Sequence, residues 1–411
     1  MHRLVVVFLI AFLAHGATVW LFCTLHDDYL ETHIGSLGSS WKYGKIFQRW
    51  DGQYYGDIAR RGYQGARHKA AFFPLYPAMI ATLRRAGVDT ALGGVIVSAL
   101  AFAAAAAIAY ALSERVRKGA GPWTVLLLVC SPVLIFYDAV YTESLFLLLA
   151  LLTLWLSGEF RSAAPGPLDG NPAGIPRPSS SLPDMALAKS GRPSSLVRPP
   201  AAALACAFLL CLVRPQGFIL AAAIALSAFL AAEGKRRLLA LWWCLPVLAA
   251  IVVLTSVNMH YGNRPLDWLN AQTGWQRRPS LPWTALLDDV KALLDGVAQN
   301  PWHTRQCGVR DDLLRIFDLC AICVGLGFAV WWARLRCFAL ALFAAAGVLV
   351  PLFSGNLLSI GRFTFASPAV VLGLGAWVAA RPMPLRVAIP PLSLAVGVYL
   401  GLRFTHWCFA G

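Results

Sequence analysis

The sequence predicts an all-α, polytopic bundle of transmembrane helices, and three observations predict it. The 411-residue chain is 58% hydrophobic and only 13% charged, with a mean hydropathy of +0.62, whereas a soluble domain carries about 25% charged residues. Apolar runs near the ~20 residues that cross a bilayer recur along its whole length. Much of the Lys and Arg behind the net charge of +15 lies in short clusters between those runs, as in cytoplasmic loops under the positive-inside rule. That distribution argues against a nucleic-acid partner.

The first apolar run, Leu4 to Cys23, follows His2 and Arg3 and reads as an uncleaved helix leaving the cytoplasm. A long first extracytoplasmic loop, 24–90, follows. Within it Phe72 to Arg85 (FFPLYPAMIATLRR) is too short to span and ends in two arginines, so it reads as an interfacial helix. Further spans are expected at roughly 91–112, 123–139, 142–157, 199–214, 216–232, 238–257, 313–333, 336–352, 361–380 and 386–402, about eleven in all with boundaries good to a few residues. Charge checks this alternation. The cytoplasmic connections SERVRKGAGP, EGKRR, ARLR and ARPMPLR are all net basic, and so is the linker near 158–198. That linker, rich in Pro, Ser and Gly, reads as a disordered tether. A second large extracytoplasmic loop occupies 258–312. The chain thus forms a single membrane domain.

The ten cysteines lie mostly inside apolar runs and read as small hydrophobes. Cys320 and Cys323 have CxxC spacing without a second pair, and His15, His26, His33 and His68 have no ligand spacing. No metal and no cofactor is expected.

Chemistry-bearing residues collect on one predicted side. They are Trp50, Asp51, Tyr54 and Tyr55 in the first loop, then Asp138 and Glu143, Arg214 and Gln216, and Arg362. Ionisable groups at or inside apolar spans are costly and are functional candidates by default; Arg214, in LLCLVRPQGFIL, is the sharpest case. Each has a plainer reading. Asp51 pairs with Arg49 or caps the next turn, Glu143 caps a helix, Arg214 is a structural partner of Asp138 or Glu143, and the aromatics form an interface belt. Together, a carboxylate, aromatics and arginines on one membrane face suit transfer of a sugar from a lipid phosphate. Aromatic faces stack on a sugar, arginine neutralises a departing phosphate, and one carboxylate serves as general base.

The order of these residues resembles the GPI mannosyltransferase II (PIG-V) family of multispan GT-C glycosyltransferases. The matching pieces are Trp50-Asp51, Tyr54-Tyr55, Ile58-Ala59, Gly62-Tyr63 and Ala71-Phe72-Phe73-Pro74. Further on, Ser131 to Leu149 resembles the family's Ser-Pro to Leu-Phe segment, Arg214-Pro215-Gln216-Gly217 its Arg-Ser-Asn-Gly, and Arg362-Phe363 its late Arg-Phe. Where the family often has a Glu before Ala-Phe-Phe-Pro, this chain has QGARHK at 64–69. The resemblance implies a GT-C-like fold and inverting transfer of mannose from dolichyl- or polyprenyl-phosphate mannose to a glycolipid. Its acceptor would be the first mannose of a GPI precursor, linked α-1,6 on the lumenal side of the endoplasmic reticulum. It implies Asp51 as the base, with Trp50, Tyr54, Tyr55, Glu143, Arg214, Gln216 and Arg362 binding substrates. Expected partners are membrane lipid, the lipid-linked sugar and the glycolipid, with room for a small membrane subunit. The stretch Tyr261 to Trp283 looks closer to prokaryotic relatives, which leaves open a plasma-membrane enzyme of a cell-envelope glycan. A transporter or flippase is the reading from another class; it calls for a polar site at the bilayer midplane and paired broken helices.

Overall fold

A computed structural model describes residues 2–25, 44–64, 67–159, 194–271, 277–295, 312–355, 357 and 359–406. Among these residues the regular structure is helical throughout, with no strand. Most of the linker at 158–198 and parts of both large loops lie outside the described residues.

The chain opens with α1 (His2–Thr24). The first loop then supplies α2 (Asp51–Arg61) and α3 (Leu75–Arg85), and α4 (Thr90–Val116) returns through the bundle. Next come α5 (Gly121–Val129), α6 (Leu134–Asp138), α7 (Glu143–Ser157), α8 (Ala201–Cys211), α9 (Gln216–Ala231) and α10 (Cys244–His260). The second loop carries α11 (Pro282–Asp295), and the remainder is α12 (Asp312–Arg334), α13 (Phe338–Phe353), α14 (Ile360–Phe365), α15 (Pro368–Ala379) and α16 (Met383–Thr405).

Five described helices are long and apolar enough to cross a membrane: α1, α4, α10 with the turns leading into it from Gly234, α12 and α16. Five more apolar helices, α7, α8, α9, α13 and α15, are shorter. The chain is a membrane protein. Helix α4 is the axis, packed against α1 and α7. Ala103, Ala105, Ala106 and Ala109 are fully buried along it, since small side chains let neighbouring backbones approach. Asp89 caps its start, accepting from the Ala91 N–H at 2.9 Å. By contrast α1 shows Val5, Leu9, Leu13 and Trp20 at its surface, as suits a helix facing lipid.

Two runs read as single spans are broken. The run at 123–139 divides between Val129 and Leu134, where Pro132 withholds an N–H and biases the residue before it away from the helix. The run at 361–380 divides at Ser367, whose hydroxyl accepts from the Ala369 N–H at 3.2 Å with Pro368 at the first helical position. The second loop contains an element the sequence reading left out. Helix α11 is amphipathic, with Trp283, Leu287 and Leu294 exposed, the pattern of a helix lying in the interface. Of the first-loop stretch Phe72 to Arg85, Leu75–Arg85 forms helix α3, with Tyr76, Pro77 and Ile80 buried.

Candidate active site

The loop that carries Asp51 is tied to the bundle at several points. The Val140 N–H donates to the Phe47 carbonyl at 2.9 Å, and the Arg49 guanidinium donates to the Thr405 carbonyl at the end of α16. Gly52 lets this contact close, because a Cβ there would lie 3.2 Å from the Val140 carbonyl oxygen. Tyr76 on α3 donates to the Gly94 carbonyl at 3.0 Å, and Ser98 on α4 donates to the Ala139 carbonyl at 2.8 Å. Loop, central helix and the turn before α7 therefore form one unit.

Trp50 turns the chain into α2 with φ 51° and ψ −122°, in a region that is an outlier for a bulky side chain and is kept only where the surroundings hold it. That turn places Asp51 at the first helical position, its N–H donating to the Tyr141 hydroxyl at 3.2 Å. Its carboxylate faces not Arg49 but Arg362: both terminal guanidinium nitrogens lie 3.4 Å from one Asp51 oxygen. Ser359, left-handed at φ 68°, starts the short helix that presents Arg362.

Glu143, fully buried, joins the two arginines. One of its carboxylate oxygens lies 2.9 Å from Arg214 and 3.2 Å from Arg362. Burying a carboxylate costs several kcal/mol unless it is paired, and two guanidinium groups supply that compensation. Arg214 thus partners Glu143 and not Asp138. Asp138 instead meets the His15 ring and the Thr18 hydroxyl of α1, each at 2.6 Å.

The aromatic residues divide by exposure. Tyr55 is buried, its ring edge-on to Phe72 and Tyr76 and its hydroxyl 3.5 Å from Thr142; burial pushes its phenol above the ordinary range. Tyr54 is half-buried, stacked on Phe72 with ring centres 4.8 Å apart and edge-on to His68. Trp50 is half-buried beside Asp51. Gln216, also half-buried, begins α9 and lines a small cavity of about 20 Å³ with Arg214, Phe146, Phe363 and Gly347.

Sequence reasoning passed over Arg277. Its guanidinium lies 5.9 Å from the Phe363 ring, which Arg214 and Arg362 also approach, at 4.7 and 4.9 Å. Burial, then repulsion from Arg362, pulls its basicity below the usual arginine range, while Asp51 opposes that shift. The pair Arg277-Arg278 beside aromatics in the second loop was the signal available. Three arginines and two carboxylates now form one cluster among the described residues. Such a cluster suits an anion better than a cation, since each guanidinium offers forked donors that match phosphate oxygens. No group of His, Cys, Asp and Glu that could hold a metal ion occurs among the described residues.

The family model described as Mannosyltransferase (PIG-V) matches residues 3–163. That stretch includes Trp50, Asp51, Tyr54, Tyr55 and Glu143, while Arg214, Gln216 and Arg362 lie beyond it. A comparison with curated proteins finds no match. The resemblance read from the sequence finds its match there: residues 3–163 are similar to the PIG-V mannosyltransferases, and the chain sets them in a bundle of apolar helices.

Proposed function

We propose that the chain transfers mannose from a polyprenyl-phosphate donor, dolichyl phosphate in a eukaryote, to the hydroxyl of a glycolipid, with inversion at the sugar carbon. Asp51 takes the acceptor hydroxyl's proton, and the acceptor oxygen bonds to the anomeric carbon. The bond from that carbon to the phosphate oxygen breaks, and the lipid phosphate leaves with the electron pair, held by Arg362 and Arg214. Trp50 and Tyr54, half-buried beside the carboxylate, flank the sugar; Glu143 holds both arginines in place.

One observation carries this reading: a partly exposed carboxylate, Asp51, stands 3.4 Å from an arginine that a buried glutamate couples to a second arginine. Base and leaving-group stabiliser are thus within one substrate's reach. The family name points to the second, α-1,6-linked mannose of the GPI precursor at the endoplasmic reticulum membrane. The test is to express the chain in cells lacking the second GPI mannosyltransferase and to follow the accumulated lipid-linked intermediates. Restored elongation that Asp51→Asn abolishes supports the reading. Intermediates that stay unextended despite expressed, membrane-inserted protein reject the GPI step. The stretch Tyr261 to Trp283 favours a second acceptor, a cell-envelope glycolipid, in a bacterial plasma membrane; mannose transfer into envelope glycan in the absence of GPI elongation would establish that one.

A further inference from the structure

Next to the carboxylate–arginine cluster, with which it shares Arg277, a second cavity opens along α13. Its volume is about 510 Å³, and it is lined by Leu342, Ala345, Ala346, Leu349, Val350 and Phe353, with Arg277 and Arg278 at one end. From Leu342 to Phe353 the helix rises about 16 Å at 1.5 Å per residue, roughly half the ~30 Å hydrocarbon core. The wall is therefore apolar along a membrane-depth path and cationic only where it ends.

That end is built into the fold. The Arg278 N–H donates to the Ser354 carbonyl at 3.0 Å and the Ser280 N–H to the Phe353 carbonyl at 2.9 Å, fixing the basic segment to the last turn of α13. Gly355, at φ 68°, lets the two chains meet, since a Cβ there would lie 2.9 Å from the Ser280 hydroxyl. Arg278 is exposed. Arg277 turns inward to the Phe363 ring shared with Arg214 and Arg362, and its Nε is buried without a hydrogen-bond partner. An apolar channel thus runs into a surplus of positive charge that stands beside Asp51.

We infer that the α13 groove holds the isoprenoid chain of the polyprenyl-phosphate donor, with Arg277 and Arg278 receiving its phosphate at the entrance to the Asp51 site. This rests on the mannosyl-transfer reading proposed above. A single channel ending in forked phosphate donors fits a one-chain lipid phosphate. A bulk phospholipid would have no reason to end at the site.

The test uses the full-length protein in detergent and two readouts. In the first, a photoreactive long-chain polyprenyl phosphate is crosslinked and the labelled peptides are mapped. Labelling on α13, competed by unlabelled polyprenyl phosphate and lowered at least tenfold by Ala346→Trp, supports the groove. Equal competition by phosphatidylglycerol, or labelling indifferent to Ala346→Trp, overturns it. In the second, mannose transfer is compared between long-chain and citronellyl-phosphate mannose. Ala346→Trp should raise the KM for the long-chain donor at least tenfold and leave transfer from the short one unchanged; equal loss with both donors overturns the assignment. Arg277→Ala should weaken both donors, because both carry the phosphate. Labelling without any mannose transfer would reject the catalytic reading while upholding a lipid-phosphate groove, so the two failures remain distinguishable.

Discussion

Arg362 and Asp51, 311 positions apart in sequence, face each other at 3.4 Å. The pairing draws the first loop and the late Arg-Phe segment into one site. The carboxylate proposed as base therefore lies next to the group proposed to receive the departing phosphate. Replacing Asp51 by Asn removes the proton acceptor while keeping its shape. Mannose transfer by Asp51→Asn membranes should fall by about 10²–10⁴-fold, with the protein's elution and melting behaviour unchanged. A rate near wild type would remove Asp51 from the proposed mechanism.

Glu143 presents the opposite balance of structure and chemistry. It is fully buried and bridges two guanidinium groups, so Glu143→Gln strips Arg214 of its carboxylate and leaves Arg362 with Asp51 alone. Breaking a buried ion pair on one side typically costs about 3–5 kcal/mol. The melting temperature should drop strongly, and the double variant Glu143→Gln, Arg214→Gln should recover part of the loss. If the double variant were the sum of the singles, the coupling between these residues would be absent.

Asp57 gives the first loop a pH dependence with a definite sign. A hydrogen bond from Lys69, whose Nζ is 2.6 Å away, holds its carboxyl below the ordinary value despite partial burial. A folded-state value below the unfolded one, about 3.9, means the stabilisation is fully present above that pH and is lost as pH falls through the folded value. Limited proteolysis of the 51–73 region should therefore accelerate only below about pH 4. Asp57→Asn should cleave faster at neutral pH and lose that acid dependence. A variant with the wild-type acid profile would contradict the assignment.

Most of the helices were legible in the sequence, because an apolar run long enough to span has few alternatives in water. Thus α7, α9 and α12 begin and end within a residue or two of their expected limits. The breaks at Pro132 and Ser367 were written in local chemistry but hidden by hydropathy, which averages over a window and is blind to one missing N–H. Helix α11 was missed because it is too short to span and Asp288, Asp289, Lys291 and Asp295 interrupt its apolar residues, so no span-length apolar run marks it. At the site, Asp51, Glu143, Arg214 and Arg362 could be named singly; their pairing could not, since partners distant in sequence leave no local trace. Arg49 is closer to Asp51 in the chain and bonds elsewhere, while Arg277 stands among charges no span-based reading connects.

Gly217 follows the Arg214-Pro215-Gln216 turn, where α8 and α9 meet. A Cβ there would lie 2.4 Å from the Leu210 carbonyl oxygen and 2.9 Å from Cys211 Cα, both backbone atoms that no rotamer change can move aside. Gly217→Ala should therefore push α9 away from α8 and shift Arg214 relative to Glu143. Overpacking of this kind typically costs about 1–3 kcal/mol. Lower melting together with reduced transfer is the expected outcome; an unchanged rate and melting temperature would show that the turn yields without moving Arg214.

Ser359 tests whether the position of Arg362 depends on backbone conformation. Its φ of 68° and ψ of 14° fall in the left-handed region, which costs an L-residue roughly 1–2 kcal/mol and is routine only for glycine. A β-branched side chain is least tolerant there. Ser359→Val should force the backbone out of this conformation, displace the first turn of α14 and carry Arg362 away from Asp51 and Glu143. Transfer should fall and the melting temperature should drop, whereas Ser359→Gly retains the backbone and keeps most of the activity. Because the valine and glycine variants both lack the hydroxyl, equal losses in the two would assign the effect to that hydroxyl and not to the turn.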